Sequence, residues 1–122
     1  MTQDEITYKN LDSKLVDIIP ELEPEFDDEA RNWASDGPHM LYGHLFARLL
    51  PKLFADERHN SELLKKIFLF FERIATHRDE DVRGVVGLSV CQEIAADEVI
   101  LQRSQRYMGE MTKKFCAELM NP

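Results

Sequence analysis

Scarcity is the first thing the sequence offers, and each scarcity removes a class of protein. Glycine and proline number five each in 122 residues, which excludes a collagen-like, low-complexity or loop-dominated chain. The two cysteines, Cys91 and Cys116, are too few for a disulfide scaffold and do not make a zinc site by themselves. Both lie in helical patterns among apolar neighbours and read as small core residues, with a disulfide as the alternative. The longest unbroken apolar run covers residues 67–71, far short of the roughly 20 residues of a membrane span. No basic stretch followed by an apolar run opens the chain, so no secretory signal is expected. The reading places the protein in the cytosol, off the membrane.

What is present is ordinary for a globular chain: 43% hydrophobic and 31% charged residues, and a length that suits one domain able to bury its own core. Residues 61–95 organise it as two helices joined by the polar turn His77-Arg78-Asp79-Glu80-Asp81. In the first, Leu64, Ile67, Phe68, Phe71 and Ile74 follow the spacing of one helical face, widened by Leu63 and Phe70. In the second, Val82, Val85, Val86, Leu88, Val90, Cys91 and Ile94 leave little polar surface, which predicts a buried helix.

Around this hairpin the chain reads as helices throughout. Residues 1–10 read as a loosely ordered lead-in. Asp12 is a candidate N-cap for a helix carrying Leu15, Ile18, Ile19, Leu22 and Phe26, which Pro20 and Pro24 either kink or divide in two. Ser35 or Asp36 is expected to cap a helix from about His39 bearing Tyr42, Leu45, Phe46, Leu49, Leu50 and Leu53, which Pro51 kinks or ends. Residues 56–60 read as a polar connection, with Asn60 or Ser61 capping the hairpin. Asp97 is expected to cap a further helix that stops at a left-handed Gly109. The last helix brings Met111, Phe115 and Leu119 together. No stretch alternates apolar and polar residues over strand length. The fold class is all-α, a single domain of about six to seven helices, as a bundle or as a short HEAT-like stack of hairpins.

Charge is unevenly spread. Of 23 acids and 15 basic residues, residues 1–36 hold 11 acids against Lys9, Lys14 and Arg31, so this third carries 3 − 11 = −8, the net charge of the whole chain. Such a field repels nucleic acid and anionic membrane and attracts basic proteins. Glu21, Glu23, Glu25, Asp27, Asp28, Glu29 and Asp36, with Trp33 as an aromatic anchor, form the candidate partner-binding set. A solvated acidic face and a Trp33 buried in the core are the plainer readings of the same residues.

Catalytic patterns are missing. Ser89 lies in Gly-Leu-Ser-Val-Cys, which fails the Gly-x-Ser-x-Gly nucleophile elbow and falls in mid-helix. Gly84 and Gly87 match neither a phosphate loop nor a dinucleotide fingerprint and read as a place where a neighbouring helix comes close. His39 and His44 are five apart, not the i, i+4 zinc pair, and His59 and His77 fall in connections. A metal site joining His39 or His44 to Asp27 or Asp28 is the weak alternative. The acids of residues 25–29 lack the calcium-loop spacing. The expectation is no enzyme, no cofactor and no metal.

The segments LLKKIFLFFERIA, DEDVRGVVGLSVCQEIA and RYMGEMTKKF resemble a family of small helical bacterial proteins associated with immunity in polymorphic toxin systems, including contact-dependent growth inhibition. The resemblance covers about residues 39–116 and rests on Phe70-Phe71-Glu72, Asp81-Val82 with Val85-Val86, and Tyr107-Met108-Gly109. It implies an antitoxin that binds one-to-one to a cognate toxin domain, a basic nuclease of the RNase type, and covers it without performing chemistry. The acidic third lies mostly outside the resemblance, so the site residues rest on charge alone. A HEAT-like adaptor for another cellular protein is the rival expectation.

Overall fold

Two prolines decide where the first helix stops. In the computed structural model, which describes residues 5–120, α1 spans Leu11–Ile18, a tight 3₁₀ turn covers Pro20–Leu22, and α2 spans Glu23–Trp33. Pro24 sits in the first turn of α2, where a missing N–H costs nothing because that donor has no acceptor inside the helix. The prolines therefore divide the segment in two. Asp12 is not the cap of α1. Asn10 holds that position, and its side chain and that of Thr7 each accept from the other's backbone N–H. The loosely ordered lead-in expected over residues 1–10 stops short of Ile6, which is buried, with its carbonyl accepting from His77 Nε2 at 2.7 Å. Residues 1–4 of that expected lead-in lie outside the described residues.

A short 3₁₀ turn at Ala34–Asp36 leads into α3, Pro38–Ala55. Neither Ser35 nor Asp36 caps it. Gly37 stands at the N-cap with φ +92°, a left-handed value that glycine adopts without a steric cost. Pro51 does not end α3, which continues to Ala55. Residue 56 alone separates it from α4, Glu57–Ala75, so the expected polar connection at 57–60 is helical. Asn60 serves the preceding helix instead: its amide donates to the carbonyls of Leu53 and Asp56. Arg103 donates to the carbonyl of Phe54 at 2.8 Å, so the open end of α3 is closed from two directions.

The helix over residues 80–95, α5, starts on Asp79, whose side chain accepts from Asp81 N–H. Its middle, Val85–Val90, is wound as a π-helix. Six residues bonded i to i+5 lag behind an α-helix by roughly one residue's turn. That lag swings Cys91 and Ile94 onto the side of Val82, Val85, Val86 and Val90, all buried, and leaves Leu88 on the opposite side. Leu88, expected in the core, is 60% exposed. The wider turn converts an all-round apolar pattern into one stripe with a single outlier.

Asp97 caps α6, Glu98–Ser104, through Val99 and Ile100 N–H, as its position in the sequence suggests. The last helix, α7, spans Glu110–Met120. Gly109 does not take a left-handed conformation and stands at the start of α7. The core face of α7 is Thr112 and Cys116, so the stripe of Met111, Phe115 and Leu119 runs along its flank, with Leu119 37% exposed.

Among the described residues, the seven helices share one hydrophobic core. Phe71 of α4 meets Phe46 of α3 and Phe68 edge-on, at centroid distances of 4.7 and 5.2 Å. Each such buried ring contributes about 1.5–3 kcal/mol. α3 lies along the π-wound part of α5, and α4 touches α3, α5 and α7. α3 in turn touches α2, α4, α5 and α6, so these two long helices lie at the centre of the domain. Among the described residues no helix is long and apolar enough to cross a membrane.

Candidate partner-binding surfaces

The acidic helix α2 lies against α3, and the contact reorders its charges. Glu29 is 5% exposed and accepts from Arg48 Nη1 at 2.6 Å, which makes it a structural anchor. Glu25 lies 3.8 Å from Lys52, and Asp28 lies 3.7 Å from Arg31. Glu21, in the turn before α2, pairs with Lys66 of α4, and that hydrogen bond holds its carboxyl below the usual glutamate range. Among the described residues Glu23, Asp27 and Asp36 make no ion pair.

The proposed set of eight residues is thus not one uniform surface. Arg48, Lys52 and Lys66 all come from the electrically balanced part of the chain, so folding places them on the acidic third. Glu25–Lys52 and Glu21–Lys66 are exposed pairs and Glu29 is buried, but each pair removes negative field where it forms. The total stays at −8, so negative charge is left uncompensated elsewhere. Trp33 is half-buried outside the core cluster and stacks on His44 with ring centroids 3.8 Å apart and planes 7° from parallel.

The second surface lies between α5 and α7. An open groove of about 390 Å³ is lined by Gly84, Gly87 and Leu88 on one wall and by Phe115, Glu118 and Leu119 on the other, with Glu80 and Arg83 at one end. Gly87 allows the close approach that its sequence context suggested: a Cβ there would stand 3.3 Å from the Phe115 ring. Leu88 and Leu119 flank the opening. Glu80 and Glu118 make no ion pair among the described residues, whereas Arg83 donates through Nη1 to the carbonyls of His77 and Arg78. Sequence reasoning missed this groove because it took Leu88 as core and read Phe115 and Leu119 only as one stripe with Met111. Leu88 stands between Gly87 and Ser89, but that signal is too common to identify a surface.

The histidines have structural partners. His39 Nδ1 lies 2.7 Å from Ser89 Oγ, a bond between α3 and the π-wound turn of α5. Among the described residues no carboxylate bonds to that histidine, so the pair lacks the third member of a hydrolytic triad. His59 pairs with Asp56. His77 accepts from Asp79 N–H at Nδ1 and donates from Nε2 to Ile6, which sets its tautomer. Among the described residues no three His, Cys, Asp or Glu side chains converge to hold a metal.

Other polar groups tie separate segments together. The Tyr42 hydroxyl donates to the Leu11 carbonyl at 2.7 Å, and burial together with the nearby Asp12 charge pushes that phenol well above its usual range. Burial also raises the Asp12 carboxyl, whose Oδ1 has no hydrogen-bond partner. Glu57 accepts from Arg106 and from the Tyr107 hydroxyl, fastening the chain after α6 to the start of α4.

Residues 13–121 match a family model described as a domain of unknown function, a match that contains residues 39–116 and takes in α2. No curated protein and no solved structure matches the chain. With nearly its whole length covered, the chain belongs to the DUF7674 family.

Proposed function

We propose that the protein works by binding a basic protein partner, performs no chemistry of its own, and anchors the partner in the α5–α7 groove. The observation that carries this reading is an open apolar groove whose two free charges, Glu80 and Glu118, are acidic, on a molecule of net charge −8. Exposed apolar clusters of this sort mark interaction sites, and a groove between helices suits an amphipathic helix. Covering a leucine is worth about 1.5–3 kcal/mol, against 0–1 for an exposed ion pair. The groove therefore supplies affinity, while Glu23, Asp27 and Asp36 on and beside α2 speed the approach.

The more specific form of the proposal is that the protein is an immunity protein, and the partner a nuclease-type toxin domain held one-to-one and occluded. Its support is the resemblance over residues 39–116 and the net charge. The test uses as its probe any basic domain found to be encoded directly beside this gene. Leu88→Asp with Leu119→Asp is expected to speed dissociation at least tenfold. Glu23→Lys with Asp27→Lys and Asp36→Lys is expected to slow association and flatten its salt dependence. Unchanged binding in both variants sinks the surface assignment, and the lack of any basic neighbour product that binds sinks the immunity form.

A further inference from the structure

Cys91 and Cys116 lie on α5 and α7, two helices that pack against each other, and both are buried and free. The Cys91 thiol donates to the carbonyl of Thr112 at 3.8 Å. In an α-helix that carbonyl points along the axis towards residue 116, so the Cys91 sulfur lies beside the turn that carries Cys116. The π-wound turn contributes to this placement, because without its one-residue lag Cys91 would face away from the buried stripe of α5. The neighbouring Cys116 thiol, together with burial, pushes the Cys91 thiol above its usual range.

We propose that Cys91 and Cys116 form a latent cross-link, which a disulfide oxidant closes to lock α7 onto α5. The inference stands apart from the binding role, although these two helices are also the walls of the groove. The reaction is thiol–disulfide exchange with a small disulfide such as oxidised glutathione. One cysteine thiolate attacks the glutathione disulfide and releases one glutathione thiolate. The second cysteine then attacks the mixed disulfide and releases the other. The protein loses two electrons and two protons as the S–S bond forms, and two glutathione thiols appear. Because Cys91 holds its proton tightly inside the fold, exchange proceeds through brief opening of α7 and is slow in the closed state.

The experiment treats the full chain with oxidised glutathione, with and without urea below the unfolding midpoint, and follows free thiols and intact mass after an acid quench. The expected result is loss of both thiols with a mass decrease of about 2 Da, faster with urea. Proteolysis should yield the peptide containing Cys91 joined to the one containing Cys116. The oxidised protein should unfold at higher denaturant concentration than the reduced one. Cys116→Ser and Cys116→Ala, each checked for native helicity, should instead stop at a glutathione adduct on Cys91. Glutathione adducts on both cysteines of the natural chain, intermolecular dimers, or a cross-link formed only after complete unfolding would each overturn the proposal.

Discussion

The carboxylate of Glu72 and the absent side chain of Gly109 share one volume. A Cβ at position 109 would fall on the end of the Glu72 side chain, and that side chain is pinned. Its oxygens accept from Met111 N–H at 3.0 Å, Thr112 N–H at 2.9 Å and the Thr112 hydroxyl at 2.8 Å. An acid from α4 thus caps the start of α7 across the bundle, where orphan N–H groups and the helix dipole both favour negative charge. Gly109 is needed there for space.

This relationship predicts coupling. Glu72→Ala should cost about 1–3 kcal/mol, because it leaves the donors of a part-buried helix start without their charged acceptor. Gly109→Ala should be destabilising in the natural chain and nearly neutral beside Glu72→Ala, where the obstructing carboxylate is gone. Denaturant midpoints of the two single variants and the double variant measure the coupling, expected at roughly 0.5–3 kcal/mol. Additive effects would mean that Gly109 answers to something else.

Glu72 also sets a pH dependence. Burial alone would raise its carboxyl, but the three hydrogen bonds outweigh it and the net shift is downwards. A carboxyl depressed in the folded state adds stability that is fully present above its unfolded value and is lost as pH falls through the folded one. The stability gap between the natural chain and Glu72→Gln should therefore be widest near neutral pH. It should close on acidification below the ordinary glutamate range. Parallel urea titrations from pH 7 to pH 3 measure it, and a gap that widens in acid would contradict the capping role.

His77 is expected to carry its proton on Nε2 when neutral, since Nδ1 accepts from Asp79 and Nε2 donates to Ile6. Nitrogen chemical shifts of the ring read this directly, and the opposite tautomer would refute the arrangement. His77→Ala should free the segment before α1. Amide exchange at residues 6–10 should rise at least tenfold, with little change in α4.

The all-helical class, the buried hairpin of residues 61–95 and the Asp97 cap were legible in the sequence because each depends on neighbours within a few positions. Spacing along one helix decides which side is apolar, and a short acidic side chain reaches N–H groups two or three residues on. Proline positions narrowed the α1–α2 break to two outcomes for the same reason. Leu88 and Leu119 show where such reasoning stops. A residue's side on a helix follows from local winding, but whether anything covers that side depends on partners distant in sequence.

Charge behaved in the same way. The sequence alone determines a net charge of −8 and its concentration in residues 1–36. Only the tertiary structure decided that Arg48, Lys52 and Lys66 would pair with Glu29, Glu25 and Glu21, and that Glu72 would cap α7. It likewise decided that the Cys91 thiol would lie against the Thr112 carbonyl, one turn before Cys116. The physical reason is range: propensity, capping and periodicity act within a helical turn or two. Ion pairs, long-range caps and grooves need two segments brought within a few ångströms by the packing of everything between them.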